Sequence, residues 1–198
     1  LKDLGKLEDA VASYHKALGL KPDYAEAHSN LSNALRALGR LDEAVTHCKK
    51  ALSLKPDFAE AHSNLGNALK ALGRAEEAVT SYQKALAIKP DYAEAHNNLG
   101  NVLQEISKPE EAVANYRAAL RLKPDYANAH SNLGYVLGQL GHPTEAIMSH
   151  RRAIFLNPHN EELWASFAAS LETVSFPSID DNLYRDLLQL LEQATTEP

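Results

Sequence analysis

The chain has 198 residues, of which 44% are hydrophobic and 23% charged, a composition that predicts a packed protein. Twenty Lys and Arg against 26 Asp and Glu give a formal net charge of -6, whereas phosphate binding needs a basic surplus, so no nucleic-acid partner is predicted. No apolar run approaches the roughly 20 residues that cross a bilayer, so we expect no membrane partner. The single cysteine and the lack of a signal-peptide pattern favour a cytoplasmic protein.

A 34-residue period organises the chain up to about residue 160. Lys-Pro-Asp recurs at 21–23, 55–57, 89–91 and 123–125, each time 34 residues further on. A fixed period of this length predicts stacked helical repeats. The residues expected at the turn in the middle of each repeat are Gly5, Gly39, Gly73, Ser107 and Gly141.

Each repeat predicts two amphipathic helices. In residues 59–92, apolar residues recur at three-to-four spacing up to Gly73, which we expect directly after the first helix. A second apolar stripe ends before Pro90, which cannot continue a helix. Asp57 followed by Glu60 predicts a capping box at the first helix. The corresponding boxes are Asp23/Glu26, Asp91/Glu94 and the weaker Asp125/Asn128.

The elements follow one another in this order along the chain. Residues 1–24 predict the end of a first helix and a complete second helix. Complete repeats are predicted at 25–58, 59–92, 93–126 and 127–160. Residues 161–174 predict the first helix of a degenerate repeat. Residues 175–198 predict a loop and a capping helix that covers the last repeat.

These positions resemble the tetratricopeptide repeat (TPR). With each repeat beginning two residues after its Lys-Pro-Asp aspartate, Leu lies at position 7, Gly or Ser at position 8, Ala at positions 20 and 27, and Pro at position 32. The small residues, such as Gly66, Ala78 and Ala85, lie where two helices must approach closely. The resemblance implies an all-α fold, a right-handed superhelix (α-solenoid) of antiparallel helix pairs. The position 24 aromatic is replaced at Cys48 and His150. The family's position 4 tryptophan is replaced by His28, His62, His96 and His130, and then appears as Trp164.

The resemblance also implies where a ligand binds, because the first helix of each repeat lines the concave surface in this family. Asn occupies position 6 of every complete repeat and position 9 of three of them. Positions three apart share one face of a helix. The candidate peptide-binding residues are Asn30, Asn33, Asn64, Asn67, Asn98, Asn101 and Asn132, with Arg36, Lys70 and Tyr135 beside them.

Asparagine suits the recognition of a peptide main chain. Its carboxamide carries both donors and acceptors, so it matches a peptide group whatever side chain follows. Helices about 8–10 Å apart and an extended chain that rises about 3.3 Å per residue would place one Asn beside roughly every third ligand residue. We therefore predict partner proteins or peptides in extended conformation. The structural alternative is that these side chains bond neighbouring helices, with repeat duplication explaining their regularity.

No catalytic, metal or cofactor site is predicted. The sequence has no Gly-rich phosphate loop, nucleophile elbow or His-Glu-x-x-His motif. The position 4 histidines lie one repeat apart, without ligand spacing, and we expect them to pack in place of tryptophan. Cys48 lies on an apolar stripe, which predicts a buried and unreactive thiol. The candidate groove offers Glu, Ser and Asn where the carboxylate clamp of chaperone-binding TPR proteins needs Lys, so we do not expect capture of an acidic C-terminus.

Three hypotheses of function follow. The repeats are similar to the TPR arm of O-linked N-acetylglucosamine transferases, in which an asparagine ladder holds extended substrates, whereas the tail is more similar to bacterial TPR-containing multidomain transferases. The chain begins within a repeat at Leu1, so we expect a fragment. The first hypothesis is a scaffold that binds extended peptides. The second is the substrate-recognition arm of a larger glycosyltransferase or methyltransferase with its catalytic domain beyond Pro198. The third is a self-assembly element that forms a homo-oligomer through the groove or an array end.

Overall fold

The computed structural model describes residues 2–173, and side-chain surroundings are described for residues 5–168. The regular structure of this part is entirely α-helical, which confirms the predicted all-α class. The capping helix predicted within residues 175–198 lies outside the described residues. The ten helices of residues 2–173 are α1 (Lys2–Leu20), α2 (Ala25–Ala37), α3 (Leu41–Leu54), α4 (Ala59–Ala71), α5 (Ala75–Ile88), α6 (Ala93–Glu105), α7 (Pro109–Leu122), α8 (Ala127–Gln139), α9 (Pro143–Leu156) and α10 (Glu161–Thr173).

The helices belong to two compact units. The first is residues 1–108, with α1–α6, and the second begins at Pro109 and includes α7–α10. In the first unit consecutive helices pack against one another, α2 also packs against α4, and α4 packs against α6. In the second unit α8 packs against α7 and α9, and α10 packs against both α8 and α9. These contacts between sequence neighbours are those of stacked helical repeats.

The turn in the middle of each repeat is set by a residue in the left-handed backbone region. Gly73 has φ 73°, a conformation that costs glycine nothing because it lacks a Cβ atom. Its N–H donates to the Lys70 carbonyl at 2.9 Å, and the Arg74 N–H donates to the Leu69 carbonyl at 2.9 Å, which closes a Schellman motif. Ser107, the predicted replacement for glycine, adopts φ 59° at the equivalent turn. The predicted positions of these turns are thereby confirmed.

The turn predicted at Gly5 is wrong, because Gly5 lies inside α1, which runs unbroken over Lys2–Leu20. Glycine within a helix costs only about 1 kcal/mol relative to alanine. The neighbouring Leu, Lys and Glu residues are good helix formers, so the helix continues through Gly5.

The predicted capping boxes are also wrong. The N-cap of α4 is Phe58 and not Asp57, and no side chain caps the helix. The Lys55 ammonium group lies 4.6 Å from the centre of the Phe58 ring, an interaction that holds the aromatic residue at the start of the helix. Glu60 is drawn away from the helix N-terminus, because its carboxylate pairs with Lys89 Nζ at 3.3 Å. Aromatic N-caps without side-chain caps recur at Tyr24, Tyr92 and Tyr126.

Small residues allow each helix pair to pack closely, as predicted. Ala78 and Ala85 are completely buried on α5. A Cβ atom added to Gly66 would lie 2.8 Å from the Tyr82 ring, so only glycine leaves room for this tyrosine. One repeat earlier the corresponding residues are Ser32 and Cys48, where a smaller position 24 side chain accompanies a larger position 8 residue.

Candidate functional site

The asparagine face is defined here as the six asparagine residues at positions 6 and 9 of α2, α4 and α6, all in the first unit. Within each helix the two residues are three apart and share one surface. Because α4 packs against both α2 and α6, the three pairs lie on neighbouring helices. The structure therefore brings together these six of the predicted peptide-binding residues: Asn30, Asn33, Asn64, Asn67, Asn98 and Asn101.

Position 6 bonds to the preceding repeat. Asn64 Nδ2 on α4 donates to the hydroxyl of Ser29 on α2 at 2.9 Å, with a longer approach of 3.4 Å to the Ser29 carbonyl. Ser29 is buried, so this contact satisfies a polar group that has little access to water. Serine at position 5 was expected to line the groove, but this bond was not predicted, although small polar residues recur at position 5 in every complete repeat.

Position 9 of α4 is the centre of a hydrogen-bond network. Asn67 Oδ1 accepts two hydrogen bonds, one from the Tyr82 hydroxyl on α5 at 2.7 Å and one from Asn98 Nδ2 on α6 at 3.1 Å. Both bonds involve the oxygen, so they fix which way the Asn67 carboxamide points and leave its Nδ2 group directed elsewhere. The apolar pattern of α5 gave no sign of this role for the Tyr82 hydroxyl.

The asparagines of α2 are held less tightly. Asn30 and Asn33 are exposed, and neither side chain makes a hydrogen bond within the part of the chain that the structure describes. Asn33 lacks such a bond because position 24 on α3 is Cys48 in place of tyrosine. Cys48 is buried and has no hydroxyl group, so it cannot donate to Asn33 as Tyr82 donates to Asn67.

The second unit carries the remaining predicted residues, Asn132 and Tyr135, on α8. Asn132 is half-buried, and Tyr135 is exposed with its hydroxyl accepting a hydrogen bond from Gln139 Nε2 at 3.1 Å. Ser131 Oγ on α8 donates to Ser166 Oγ on α10 at 3.2 Å. This bond joins positions 5 and 6 of successive repeats, as Ser29 and Asn64 do, so Ser166 preserves the contact although asparagine is absent.

The two predicted cations of the first unit differ in their partners. Lys70 Nζ on α4 forms an ion pair with Glu105 Oε1 on α6 at 3.0 Å. Arg36, in the last turn of α2, is exposed and forms no ion pair within the described part of the chain. Burial raises the pKa of the Tyr82 hydroxyl, the Arg36 guanidinium opposes that rise and the Glu105 carboxylate adds to it. Arg36 follows Asn33 by three residues on α2, so it lies on the surface that carries the asparagines of this helix.

The position 4 histidines and Trp164 make the same hydrogen bond within their repeats. The Nε2 atoms of these histidines donate to the carbonyl group six residues upstream, and Trp164 Nε1 does the same to the Pro158 carbonyl at 2.9 Å. Histidine and tryptophan thus place a ring N–H donor at the same point of the repeat. The four histidine bonds are His28 to Pro22 at 3.1 Å, His62 to Pro56 at 3.0 Å, His96 to Pro90 at 3.2 Å and His130 to Pro124 at 3.0 Å.

Three histidines, His15, His28 and His47, lie close together where α2 packs against α3. His28 Nδ1 and His47 Nδ1 are 2.9 Å apart, so one of these two nitrogens donates a hydrogen bond to the other. The His15 ring packs against His47 with centroids 6.0 Å apart. Burial lowers the pKa of His47, and the His28 and His15 charges lower it further. Among the described residues, no group of three or more His, Cys, Asp or Glu side chains is arranged to hold a metal ion.

Cys48 is completely buried, as predicted. Burial raises the pKa of its thiol to about 11, so the thiol is protonated at neutral pH and the reactive thiolate is scarce.

The helix hairpins, left-handed turns and small residues at positions 8, 20 and 27 now identify the family. The sequence matches the TPR repeat family over residues 1–35, 32–73, 66–107 and 108–141, and a second tetratricopeptide repeat profile over residues 127–160. The chain belongs to the tetratricopeptide repeat family. TPR proteins generally mediate protein interactions, and the fold is typically a non-catalytic scaffold. No curated protein matches this TPR chain at a significant level.

Solved TPR structures share the fold. TTC0263, a thermophilic TPR protein of Thermus thermophilus, is 25% identical, with 86% of this chain and 93% of that chain covered and a TM-score of 0.72. MamA is 26% identical over 83% of this chain and 94% of that chain, with a TM-score of 0.69. YrrB, a TPR protein with an unusual peptide-binding site, is 22% identical over 91% of this chain and 90% of that chain, with a TM-score of 0.68. Within the described residues, no helix is both long and apolar enough to span a bilayer.

Proposed function

We propose that this TPR chain is a protein-interaction scaffold whose asparagine face binds protein segments in extended conformation through their main chain. The observation that carries the proposal is hydrogen-bonding capacity left over on that face. Within the described residues, Asn67 forms hydrogen bonds only through its oxygen and Asn64 only through its Nδ2 group. The remaining amide atoms are Asn67 Nδ2 and Asn64 Oδ1. Neither is buried without a partner among the described residues, so both reach solvent.

The remaining capacity is complementary to a peptide group. Asn64 offers an acceptor oxygen for a ligand N–H, and Asn67, three residues on, offers a donor for a ligand carbonyl. The exposed Asn30 and Asn33 extend the same pattern to α2 with both amide atoms unused inside the described chain. A face of alternating donors and acceptors favours main-chain recognition with little dependence on ligand side chains.

The structural role of the asparagines and the binding role use different atoms. The Asn64–Ser29 and Asn98–Asn67 bonds link successive repeats, as the structural alternative predicts. These bonds also orient the amides before a ligand arrives, which lowers the entropy cost of binding. We therefore infer that the same side chains serve packing and recognition.

The proposal includes no catalytic role for the described residues. YrrB shares the fold with this chain at 22% identity, a likeness that concerns the fold alone, so the peptide-binding proposal rests on the asparagines of this chain. A substrate-recognition arm of a larger transferase stays the second hypothesis, because it needs the same peptide-binding face.

Self-assembly is a further candidate that one surface feature favours. Met148 and Phe155 on α9 are 61% and 73% exposed and lie two turns apart on one face. The equivalent residues of the repeat 25–58 are Thr46 and Ser53. Light scattering over a concentration series tests this role: Met148→Thr with Phe155→Ser should lower the molar mass of any oligomer, and a strict monomer contradicts it.

Peptide binding is tested by fluorescence anisotropy with fluorescein-labelled 12-residue peptides of alternating Ser and Thr, a sequence that favours extended conformations. Asn30→Ala with Asn33→Ala should weaken binding about 5- to 150-fold, since each hydrogen bond contributes about 0.5–1.5 kcal/mol. Asn115→Ala on α7 is the matched control, because the Asn115 side chain bonds to the Glu111 carbonyl of its own helix. Equal binding by the double variant and the parent chain would refute the proposal.

A further inference from the structure

Position 12 of the first helix of each repeat carries a polar side chain in α2, α4 and α6, at Arg36, Lys70 and Gln104. In α4 this side chain has an internal partner, since Lys70 Nζ reaches Glu105 Oε1 of the next repeat at 3.0 Å. The pair joins positions 12 and 13 of successive repeats. One repeat earlier the same two positions hold Arg36 and Ala71, so the cation is kept and the acid is missing.

Arg36 lies beside the asparagine face. It is exposed and unpaired within the described part of the chain. Arg36 follows Asn33 by three residues, so the two side chains share one surface of α2. The Glu105 carboxylate, two repeats further on, is already neutralised by Lys70. A ligand held on Asn64 and Asn67 would therefore meet an available guanidinium at the α2 end of the face.

We propose that Arg36 is a carboxylate-binding site for an acidic side chain of the extended segment bound on the asparagine face. This inference rests on the proposed function and adds a side-chain preference to it. Guanidinium binds carboxylate through two parallel hydrogen bonds, so an Asp or Glu of the ligand takes the place that Glu105 occupies beside Lys70. Ala71 leaves that place open in the repeat of Arg36.

The test uses three versions of the Ser/Thr dodecapeptide in anisotropy titrations with the full chain. One has a central Asp and an amidated C-terminus, the second a central Asn and an amidated C-terminus, and the third a central Asn and a free C-terminal carboxylate. The Asp peptide should bind about two- to fivefold more tightly than the amidated Asn peptide, a preference that weakens as salt rises. If the free-carboxylate peptide shows the gain instead, the assignment to an acidic side chain is wrong.

Two independent substitutions should abolish the Asp preference. Arg36→Gln removes the cation, and Ala71→Glu supplies the internal acid that Lys70 has in Glu105. Ala71→Gln, which has the same size without the charge, should retain the preference. Arg40→Gln is the matched surface control, because Arg40 is already paired with Glu43 at 2.7 Å.

The outcomes separate this inference from the proposed function. Equal binding of Asp and Asn peptides by the parent chain, with binding still dependent on Asn30 and Asn33, overturns the Arg36 site alone. An Asp preference that survives both Arg36→Gln and Ala71→Glu also overturns it. If none of the three peptides binds the chain, the proposed function and the Arg36 site fall together.

Discussion

Replacing the same asparagine in two successive repeats should change stability in opposite directions. Asn67→Ala removes the acceptor of the Tyr82 hydroxyl, whose residue is 0% exposed, and the bond from Asn98. Leaving a buried donor without a partner costs about 1–3 kcal/mol. Alanine returns at most about 0.7 kcal/mol through its higher helix propensity. We expect a net loss of about 0.5–2 kcal/mol in the free energy of unfolding.

Asn33→Ala should instead stabilise the chain by about 0.5 kcal/mol. Asn33 is exposed and makes no hydrogen bond within the described residues, so only the propensity gain remains. Urea titrations followed by circular dichroism measure both changes, and anisotropy with the Ser/Thr dodecapeptide should show weaker binding by both variants. The two variants thus separate packing from recognition at equivalent positions.

Tyr82→Phe is the control for the network. In the presence of Asn67→Ala it removes the buried donor that has lost its acceptor, so the double variant should recover about 1 kcal/mol relative to the sum of the single effects. Full additivity of the two substitutions, or an Asn67→Ala variant as stable as the parent chain, would refute the reasoning.

Three further predictions concern packing, backbone strain and pH. Gly66→Ser should destabilise the chain by about 1–3 kcal/mol, because its Cβ would lie 2.8 Å from the Tyr82 ring. Adding Tyr82→Cys should restore part of the loss in urea titrations, and additive losses from the two substitutions would contradict the packing explanation. Ser107→Gly should raise stability by about 1 kcal/mol by relieving φ 59°, whereas Ser107→Ala, which keeps the Cβ atom, should not. Burial lowers the pKa of His150 to about 4 from 6.5, so the native state binds fewer protons than the unfolded state in this window. Stability should therefore fall as pH drops, by about 2 kcal/mol at pH 5. His150→Tyr should remove that loss when urea midpoints are compared at pH 7 and 5, and Gly134 leaves room for the tyrosine as Gly66 does for Tyr82. An unchanged pH dependence in this variant would contradict the assignment to His150.

The fold was predictable because its determinants lie within one repeat. The 34-residue period, the glycines at the turns and the alanines at positions 20 and 27 are each set by local geometry or by contacts between adjacent helices. Ser107 shows how strong that local constraint is, since the left-handed turn forms even without glycine. The prediction of capping boxes was wrong because their formation depends on residues outside the motif. Glu60 pairs with Lys89, 29 residues away, and the pattern Asp-x-x-Glu contains no information about that competitor.

The candidate site was predictable only as a set of positions. The period identified the residues of the asparagine face, but not which atoms each carboxamide uses. That depends on position 24 of the following helix, where the repeat pattern predicts an aromatic packing residue and says nothing of its hydroxyl. Comparison of Tyr82 with Cys48 would have supplied a signal, because a hydroxyl beside position 9 is present in one repeat and absent in the other.

This difference makes the two position 9 asparagines unequal in recognition. Asn67 is oriented by two hydrogen bonds before a ligand arrives, whereas Asn33 must lose rotational freedom when it binds. Ordering a polar side chain costs about 0.5–1.5 kcal/mol, so Asn67 should contribute more to affinity than Asn33 although both offer the same chemical group. In the anisotropy assay Asn67→Ala should therefore weaken dodecapeptide binding more than Asn33→Ala does, by up to about tenfold. Equal losses would mean that the Tyr82 bond stabilises the fold without preparing the face for its ligand.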